Sequence, residues 1–233
     1  MTTIQTVLIT GAAGHLGRAV AATFAAQGAR LVLLDRNTDA LRQAFGADSA
    51  QQLCLGADLL DGHSTRQAVQ NALDQVGHID VLCHLAGGFG MGEPVHATGS
   101  ATLERMLDLN VRAFLHISEA AVPVMLAAGR GRIVTVGAFG AQRGGAHMGA
   151  YAASKAALQR LTESMSAELK GQGINVNCVL PSIIDTADNR AAMPDADPSQ
   201  WVAPAALADV IAFLGSDAAR AIHGASIPVT GLV

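Results

Sequence analysis

Seven short apolar runs alternate with stretches of helical spacing along this chain of 233 residues. Short apolar runs suit buried strands, and the intervening stretches repeat apolar residues at every third and fourth position, as amphipathic helices do. The alternation predicts an α/β fold: one doubly wound parallel sheet of about seven strands with helices on both faces. The predicted strands cover residues 6–10, 31–35, 52–55, 79–85, 132–136, 174–180 and 226–229.

The chain carries no internal repeat, low-complexity tract or linker-like change of composition, so we interpret residues 1–233 as a single domain. Two long helices are expected, one beginning near Leu103 and the other near Tyr151. Pro123 falls inside the first and should kink or end it, because proline lacks a backbone donor. The prolines near residues 182–200 rule out a long helix there, and we interpret this segment as a substrate lid.

Composition excludes several classes of protein. Half of the residues are apolar and 15% are charged, which is unlike a disordered chain or a solvated coiled coil. The net charge is −4 and the basic residues are scattered, so no nucleic-acid partner is expected. There are three cysteines, Cys54, Cys83 and Cys178. An odd number of cysteines within apolar runs is typical of reduced thiols in a cytoplasmic protein. No leader or membrane span is recognised, and the histidines lack metal-ligand spacing. We therefore expect a cytoplasmic protein without a metal or membrane partner.

A glycine-rich loop follows the first predicted strand and leads into a helical run. Such a turn lets backbone amides approach a pyrophosphate, and the positive end of the helix dipole points at it. The second strand ends in Asp35, 18 residues after the loop, where a dinucleotide-binding Rossmann fold has the carboxylate that binds the adenosine ribose. Loop and carboxylate together predict a dinucleotide cofactor. The loop residues concerned are Gly11, Gly14, His15, Leu16 and Gly17.

The carboxylate of Asp35 bears on which dinucleotide binds. It would repel a 2′-phosphate, which favours NAD over NADP, although Arg36 could pair with that phosphate if it is not simply exposed. Other candidate cofactor contacts lie at the carboxyl ends of the next strands, the ligand side of such sheets. Asp58 follows the third strand and has an alternative interpretation as a helix cap. Ala86, Gly87 and Gly88 follow the fourth.

Tyr151, the only tyrosine, lies four residues before Lys155 at the start of a predicted helix. This spacing puts both side chains on one helix face. A phenol has a pKa of about 10, and a neighbouring ammonium group favours the phenolate and lowers that value. The pair is therefore a candidate for general acid–base chemistry with a small substrate.

The glycine-rich loop, Asp58, Ala86-Gly87, Asn110 and the Tyr151–Lys155 pair occur along the chain in the order that short-chain dehydrogenases/reductases have. The chain resembles this family over essentially its whole length. The resemblance implies hydride transfer, with Tyr151 as general acid/base and Lys155 bound to the nicotinamide ribose while it tunes Tyr151. It further implies that Asn110 supports a proton relay through water. Pro181, Ile184 and Thr186 fall in the family's nicotinamide-side loop. Family members pair through their two long helices, so a homodimer or homotetramer is expected.

Two positions depart from the family pattern: His15 and Ala138 stand where glycine and a hydroxyl-bearing serine are usual. A branch of the family, the quinonoid dihydropteridine reductases, resembles the chain in its glycine loop, in Gly137-Ala138 and in the stretch from Asp185 to Trp201. This resemblance implies a quinonoid dihydropterin-like acceptor. A general carbonyl or 3-oxoacyl thioester reductase is the alternative, and a catalytically silent NAD-binding protein is another.

Overall fold

The computed structural model describes residues 4–233, in which seven strands form one parallel sheet. Their order across the sheet is β3-β2-β1-β4-β5-β6-β7, so the chain reverses its direction of winding between β1 and β4. All seven predicted strands are confirmed, with ends that differ by no more than a few residues. They are β1 (Thr6–Thr10), β2 (Arg30–Asp35), β3 (Gln52–Gly56), β4 (Val81–His84), β5 (Gly131–Val136), β6 (Ile174–Pro181) and β7 (Ser226–Val229).

Eight α-helices flank the sheet over the described residues: α1 (His15–Ala26), α2 (Thr38–Phe45), α3 (Gly62–Val76), α4 (Ser100–Leu107), α5 (Ala113–Ala128), α6 (Gly149–Leu169), α7 (Ala187–Ala192) and α8 (Pro204–Leu214). Short polar side chains begin several of them. Asn37 accepts the Ala40 N–H ahead of α2, and Asp61 accepts two N–H groups ahead of α3. These caps satisfy backbone donors that have no partner inside a helix.

Helices cover both faces of the sheet, which explains why its strands are apolar on both sides. On one face Phe24 of α1 and Ile211 of α8 pack against the sheet and are fully buried. On the other, Val69 of α3, Phe114 of α5 and Leu158 of α6 do the same. The two apolar layers hold the strands so that all carboxyl ends open on one edge.

The helix that contains Pro123 does not end there, so that part of the prediction is wrong. α5 continues to Ala128, and the irregularity lies earlier, at a single π-helical turn, Asp108–Arg112, between α4 and α5. Pro123 and Glu119, whose carbonyl loses its helical donor, are both exposed. Water can therefore replace the missing hydrogen bond. By length and apolarity the stretch Ser100–Ala128 could span a membrane, yet Phe114, Ile117 and Met125 of it are buried in the core.

Candidate active site

The glycine-rich loop lies between β1 and α1 and touches the turn that follows β4. Gly11 has a φ of +66°, and a Cβ added to it would lie 2.9 Å from the backbone nitrogen of Ala86. Gly17 packs against the carbonyl of Gly11 so closely that no side chain fits between them. Both glycines are therefore required by packing inside the protein. Gly14, the N-cap of α1, is exposed and leaves backbone open ahead of the helix, as the approach of a pyrophosphate requires. Leu16 packs on the core, whereas His15 is half exposed, 3.8 Å from the carboxylate of Asp188.

Asp35 lies at the carboxyl end of β2, beside the loop. Its Oδ2 accepts the N–H of Ala13 at 3.1 Å, and its Oδ1 accepts that of Asn37 at 3.1 Å. These bonds hold the carboxylate at the sheet edge next to the loop, and each oxygen keeps a further lone pair for a ribose hydroxyl.

Asp58 and Arg36 line one open depression between the ends of β2 and β3. The alternative interpretation of Asp58 as a helix cap is wrong, because Asp61 caps α3 instead. The carboxylate of Asp58 accepts the N–H of Leu60 at 3.0 Å within the preceding turn. Arg36 is exposed, as the second interpretation of that residue had it. The depression follows directly on Asp35.

Asn110 lies in the π-helical turn and is fully buried. Its Oδ1 accepts the N–H of Gly88, while its Nδ2 donates to the carbonyl of Gly88 and to Oγ of Ser154 on α6. The side chain thus ties the turn Ala86–Gly87–Gly88 to the helix that carries Tyr151. π-Helical turns often occur at functional sites, because they redirect a side chain out of helical register.

Lys155 is 7% exposed, and its Nζ donates to the carbonyl of Val136 at 2.8 Å. A Cβ on Gly87 would lie 3.2 Å from the same nitrogen, so the ammonium group faces the turn after β4. Burial lowers the pKa of Lys155 to about 8, because the charged form loses its hydration. Lys155 is therefore mostly charged at neutral pH but loses its proton in mildly alkaline solution.

Tyr151 lies one helical turn before Lys155, as its spacing predicted. The expected lowering of its pKa by Lys155 is not what this arrangement produces: burial raises the pKa of Tyr151. The ammonium group is instead held by Val136. In this arrangement the phenol is a proton donor, and its acidity depends on what else enters the site.

An apolar patch surrounds Tyr151. Phe89 packs edge-on against its ring, with 4.9 Å between centroids. Ala138, Ala141 and Ala152 form a small buried cluster against it on the side where the family has its serine. No hydroxyl replaces the missing serine within this cluster.

His84, which the sequence analysis did not single out, lies beneath these residues. Its Nδ1 is 3.0 Å from Oγ1 of Thr10, and no protein atom pairs with its Nε2. Burial, and next the charge of Lys155, lower the pKa of His84 to about 3, so it is neutral. The sequence does contain a signal for this residue, because His84 is a polar residue inside the apolar run predicted as the fourth strand.

The segment after β6 crosses the edge of the sheet near the glycine loop. Ile184 pairs with Val202 in a single bridge, and Oγ of Ser182 donates to the carbonyl of Thr230. Thr186 caps α7 by accepting the N–H of Asn189. Pro181 ends β6 and is buried. The two ends of the segment are therefore anchored, while most residues from 187 to 200 are exposed.

Comparisons with known proteins show which family the chain belongs to. The model of the family described as short chain dehydrogenase matches residues 5–197. The chain is 32% identical to cis-4-hydroxycyclohexanecarboxylate dehydrogenase of Sinomonas cyclohexanicum, with 97% of this chain and 95% of that protein covered. Two solved structures are similar to it throughout. An oxidoreductase of the family from Burkholderia thailandensis has a TM-score of 0.88 at 34% identity, covering 100% of this chain and 94% of that chain. NAD+-bound xylitol dehydrogenase has a TM-score of 0.89 at 26% identity, covering 97% and 98%.

Glycine loop, buried asparagine and the Tyr151–Lys155 pair lie at one edge of a parallel sheet, within a chain that the family model matches over most of its length. The chain therefore belongs to the short-chain dehydrogenase/reductase family and is an oxidoreductase of that family.

Proposed function

We propose that this enzyme transfers a hydride between NAD(H) and a small quinonoid or imine acceptor, such as a quinonoid dihydropterin. The choice of acceptor rests on Ala138, which is buried in the alanine cluster against Tyr151. A ketone develops full alkoxide charge during reduction and needs hydrogen-bond donors at its oxygen. A conjugated acceptor spreads that charge, so one proton from Tyr151 suffices.

The residues present fit a dinucleotide. The exposed backbone at Gly14, ahead of α1, suits the pyrophosphate, Asp35 suits the adenosine ribose, and the depression beside Asp58 suits the adenine. When bound, NAD(H) supplies or takes the hydride. The carboxylate of Asp35 supports NAD over NADP, because it would lie near a 2′-phosphate. A similar structure, xylitol dehydrogenase, is described as NAD+-bound.

Tyr151 and Lys155 handle the proton. The phenolic Oη of Tyr151 gives a proton to the reduced acceptor or takes one in reverse, a role that suits a half-buried neutral phenol. Lys155 supplies positive charge at the base of the site and, as the family resemblance implies, binds the nicotinamide ribose. Asn110 holds the turn after β4 and helix α6 in register, and a proton relay through water near it remains part of this proposal.

Three further features belong to the proposal. Residues 182–200 form a lid, since both ends are anchored and the middle is exposed. The protein is a cytoplasmic homodimer or homotetramer without nucleic-acid or membrane partners. Exposed leucines along the long helical stretch, Leu103, Leu115 and Leu126, support pairing through that surface. Light scattering at micromolar concentration tests the assembly, and a monomer would contradict it.

The experiment follows NADH oxidation with a panel of quinonoid dihydropterin, small quinones and 3-oxoacyl thioesters, using the parent protein and Ala138→Ser. We expect turnover of the quinonoid acceptors, little gain from Ala138→Ser on them, and some gain on ketones. Turnover confined to 3-oxoacyl thioesters would contradict the proposed acceptor.

A general carbonyl or 3-oxoacyl thioester reductase is the second candidate. The named relatives favour it, since cis-4-hydroxycyclohexanecarboxylate dehydrogenase by its name oxidises an alcohol. In that case a large gain with Ala138→Ser on the native substrate is expected. A catalytically silent NAD-binding protein would have no reason to bury Lys155 beside Tyr151.

A further inference from the structure

A cleft of about 210 Å³ lies beside Tyr151, between the loop after β4, helix α4 and the first turn of α6. Gly90 and Ala150, which line it, directly follow Phe89 and precede Tyr151, the two residues in ring contact. The cleft therefore adjoins the apolar patch at the proposed reaction centre. Its polar side chains are Glu93, Thr98, Thr102, Arg105 and His147.

Arg105 is exposed, and among residues 4–233 no carboxylate lies within ion-pair distance of it. Arg112, seven residues later, is by contrast paired with Asp108 at 2.6 Å. The Nη2 of Arg105 lies 3.7 Å from where a Cβ of Gly90 would be, so the guanidinium group lies along the wall of the cleft. An unpaired guanidinium group offers a planar fork of donors, which matches a carboxylate.

His147 is the one residue other than glycine with a positive φ in the described chain, at +62°. Its carbonyl accepts the N–H of Gly92, and its Nδ1 lies 3.0 Å from the carbonyl of Gly92. Since a carbonyl only accepts, Nδ1 carries the proton. The paired bonds join the two loops that frame the cleft, and in the neutral ring they leave Nε2 of His147 as an acceptor, which can pair with an N–H or O–H group but not with a carboxylate.

Glu93 supplies the opposing charge. It is exposed on the same cleft and has no ion-pair partner among the described residues. An anion in the cleft would be attracted by Arg105 and repelled by Glu93, so the two residues should act with opposite sign on its affinity.

We propose that this cleft binds a carboxylate carried by the substrate, with Arg105 as its charge partner. The inference rests on the proposed function and deepens it. Within the proposed class, the substrate is then a quinonoid or imine acceptor that carries a carboxylate: its apolar part covers Phe89 and Tyr151, and its carboxylate reaches Arg105. The exposed side chains of Phe89, Met91 and Val95 provide the apolar approach.

The test compares two probes of one shape, 4-fluorobenzoate and 4-fluorobenzamide, titrated against the full-length protein and followed by fluorine NMR of the ligand. We expect the carboxylate to bind more tightly than the amide. Arg105→Gln should weaken the carboxylate about 5- to 10-fold and leave the amide nearly unchanged. Glu93→Gln should tighten the carboxylate about twofold or more. Arg66→Gln, an exposed arginine on α3 paired with Glu119, is the matched control and should change neither probe.

Equal binding of the two probes, or carboxylate binding that Arg105→Gln leaves intact, would overturn the inference, as would weaker carboxylate binding in Glu93→Gln. The titration requires no turnover, so its result is independent of the reaction. Arg105-dependent binding in a protein that oxidises no NADH would uphold the cleft and contradict the proposed function.

Discussion

Lys155→Met should make the cofactor-free protein more stable while it abolishes activity. Lys155 is buried with its charge held by one carbonyl, and its pKa falls from 10.5 to about 8. At about 1.4 kcal/mol per pKa unit, keeping this group charged costs the folded state about 3 kcal/mol at pH 7. Losing the hydrogen bond to Val136 costs about 1 kcal/mol, which leaves a net gain of about 2 kcal/mol. Methionine fills nearly the same volume.

The gain should depend on pH in a defined way. Between about pH 8 and pH 10.5 the unfolded chain binds a proton at Lys155 that the folded chain does not, so the stability of the parent protein relative to Lys155→Met rises with pH. The other titratable groups are present in both proteins, so their contributions to the pH dependence of stability cancel in the difference between the two. The difference of about 2 kcal/mol at pH 7 should therefore largely vanish at pH 9.5.

Thermal unfolding at equal protomer concentration measures this. A gain of about 2 kcal/mol corresponds to a Tm rise of about 4–8 °C for a chain of this length. Lys170→Met is the matched control, because Lys170 is the only other lysine and is exposed. The reasoning is refuted if Lys155→Met melts below the parent protein at pH 7, or if the difference does not change up to pH 9.5.

Three further predictions follow from the same site. Tyr151→Phe should lower kcat by about 10²- to 10⁴-fold with little change in NADH affinity, measured by steady-state kinetics and titration; near-full activity would remove Tyr151 from the proton step. NADH should bind more tightly than NADPH because of Asp35, and equal affinities would mean that Arg36 compensates. If residues 182–200 are a lid, saturating NADH should slow proteolysis within them and change Trp201 fluorescence. If neither changes, the segment is a plain surface connection and the lid interpretation is wrong.

The sheet could be predicted because its inner strands, such as β1, β4 and β6, are buried on both faces, so their apolar character is local and visible in the sequence. The loop and Asp35 could be predicted as well, since their spacing follows from one strand–helix–strand unit. Pro123 could not be judged in this way. Whether a proline ends a helix depends on the solvent exposure of the carbonyl four residues earlier, and that exposure is decided by tertiary packing.

The sequence predicts that Tyr151 and Lys155 lie side by side, but it does not predict their electrostatics. The two residues share a helix face, and that spacing alone predicts a charge effect on the phenol. The structure aims the ammonium group at Val136, on a strand that the sequence pattern does not connect to Lys155. His84 was missed for the same reason, since its proximity to Lys155, 71 residues later, arises only in the folded chain.

The surroundings of Lys155 and His84 explain why the protonation of Lys155 should respond to a ligand. His84 stays neutral because it is buried and because Lys155 is charged, so it adds no positive charge beneath the site. Lys155, held by a single carbonyl and with a pKa near 8, keeps donor capacity that no described residue uses fully. A hydrogen-bond acceptor that comes within reach of Nζ would favour the charged form of Lys155 and raise its pKa. If that acceptor is the phenolate of Tyr151, the same contact would lower the pKa of Tyr151. The burial that destabilises Lys155 in the free protein thus makes its protonation sensitive to the contents of the site, which is why stability and activity are expected to change in opposite directions in Lys155→Met.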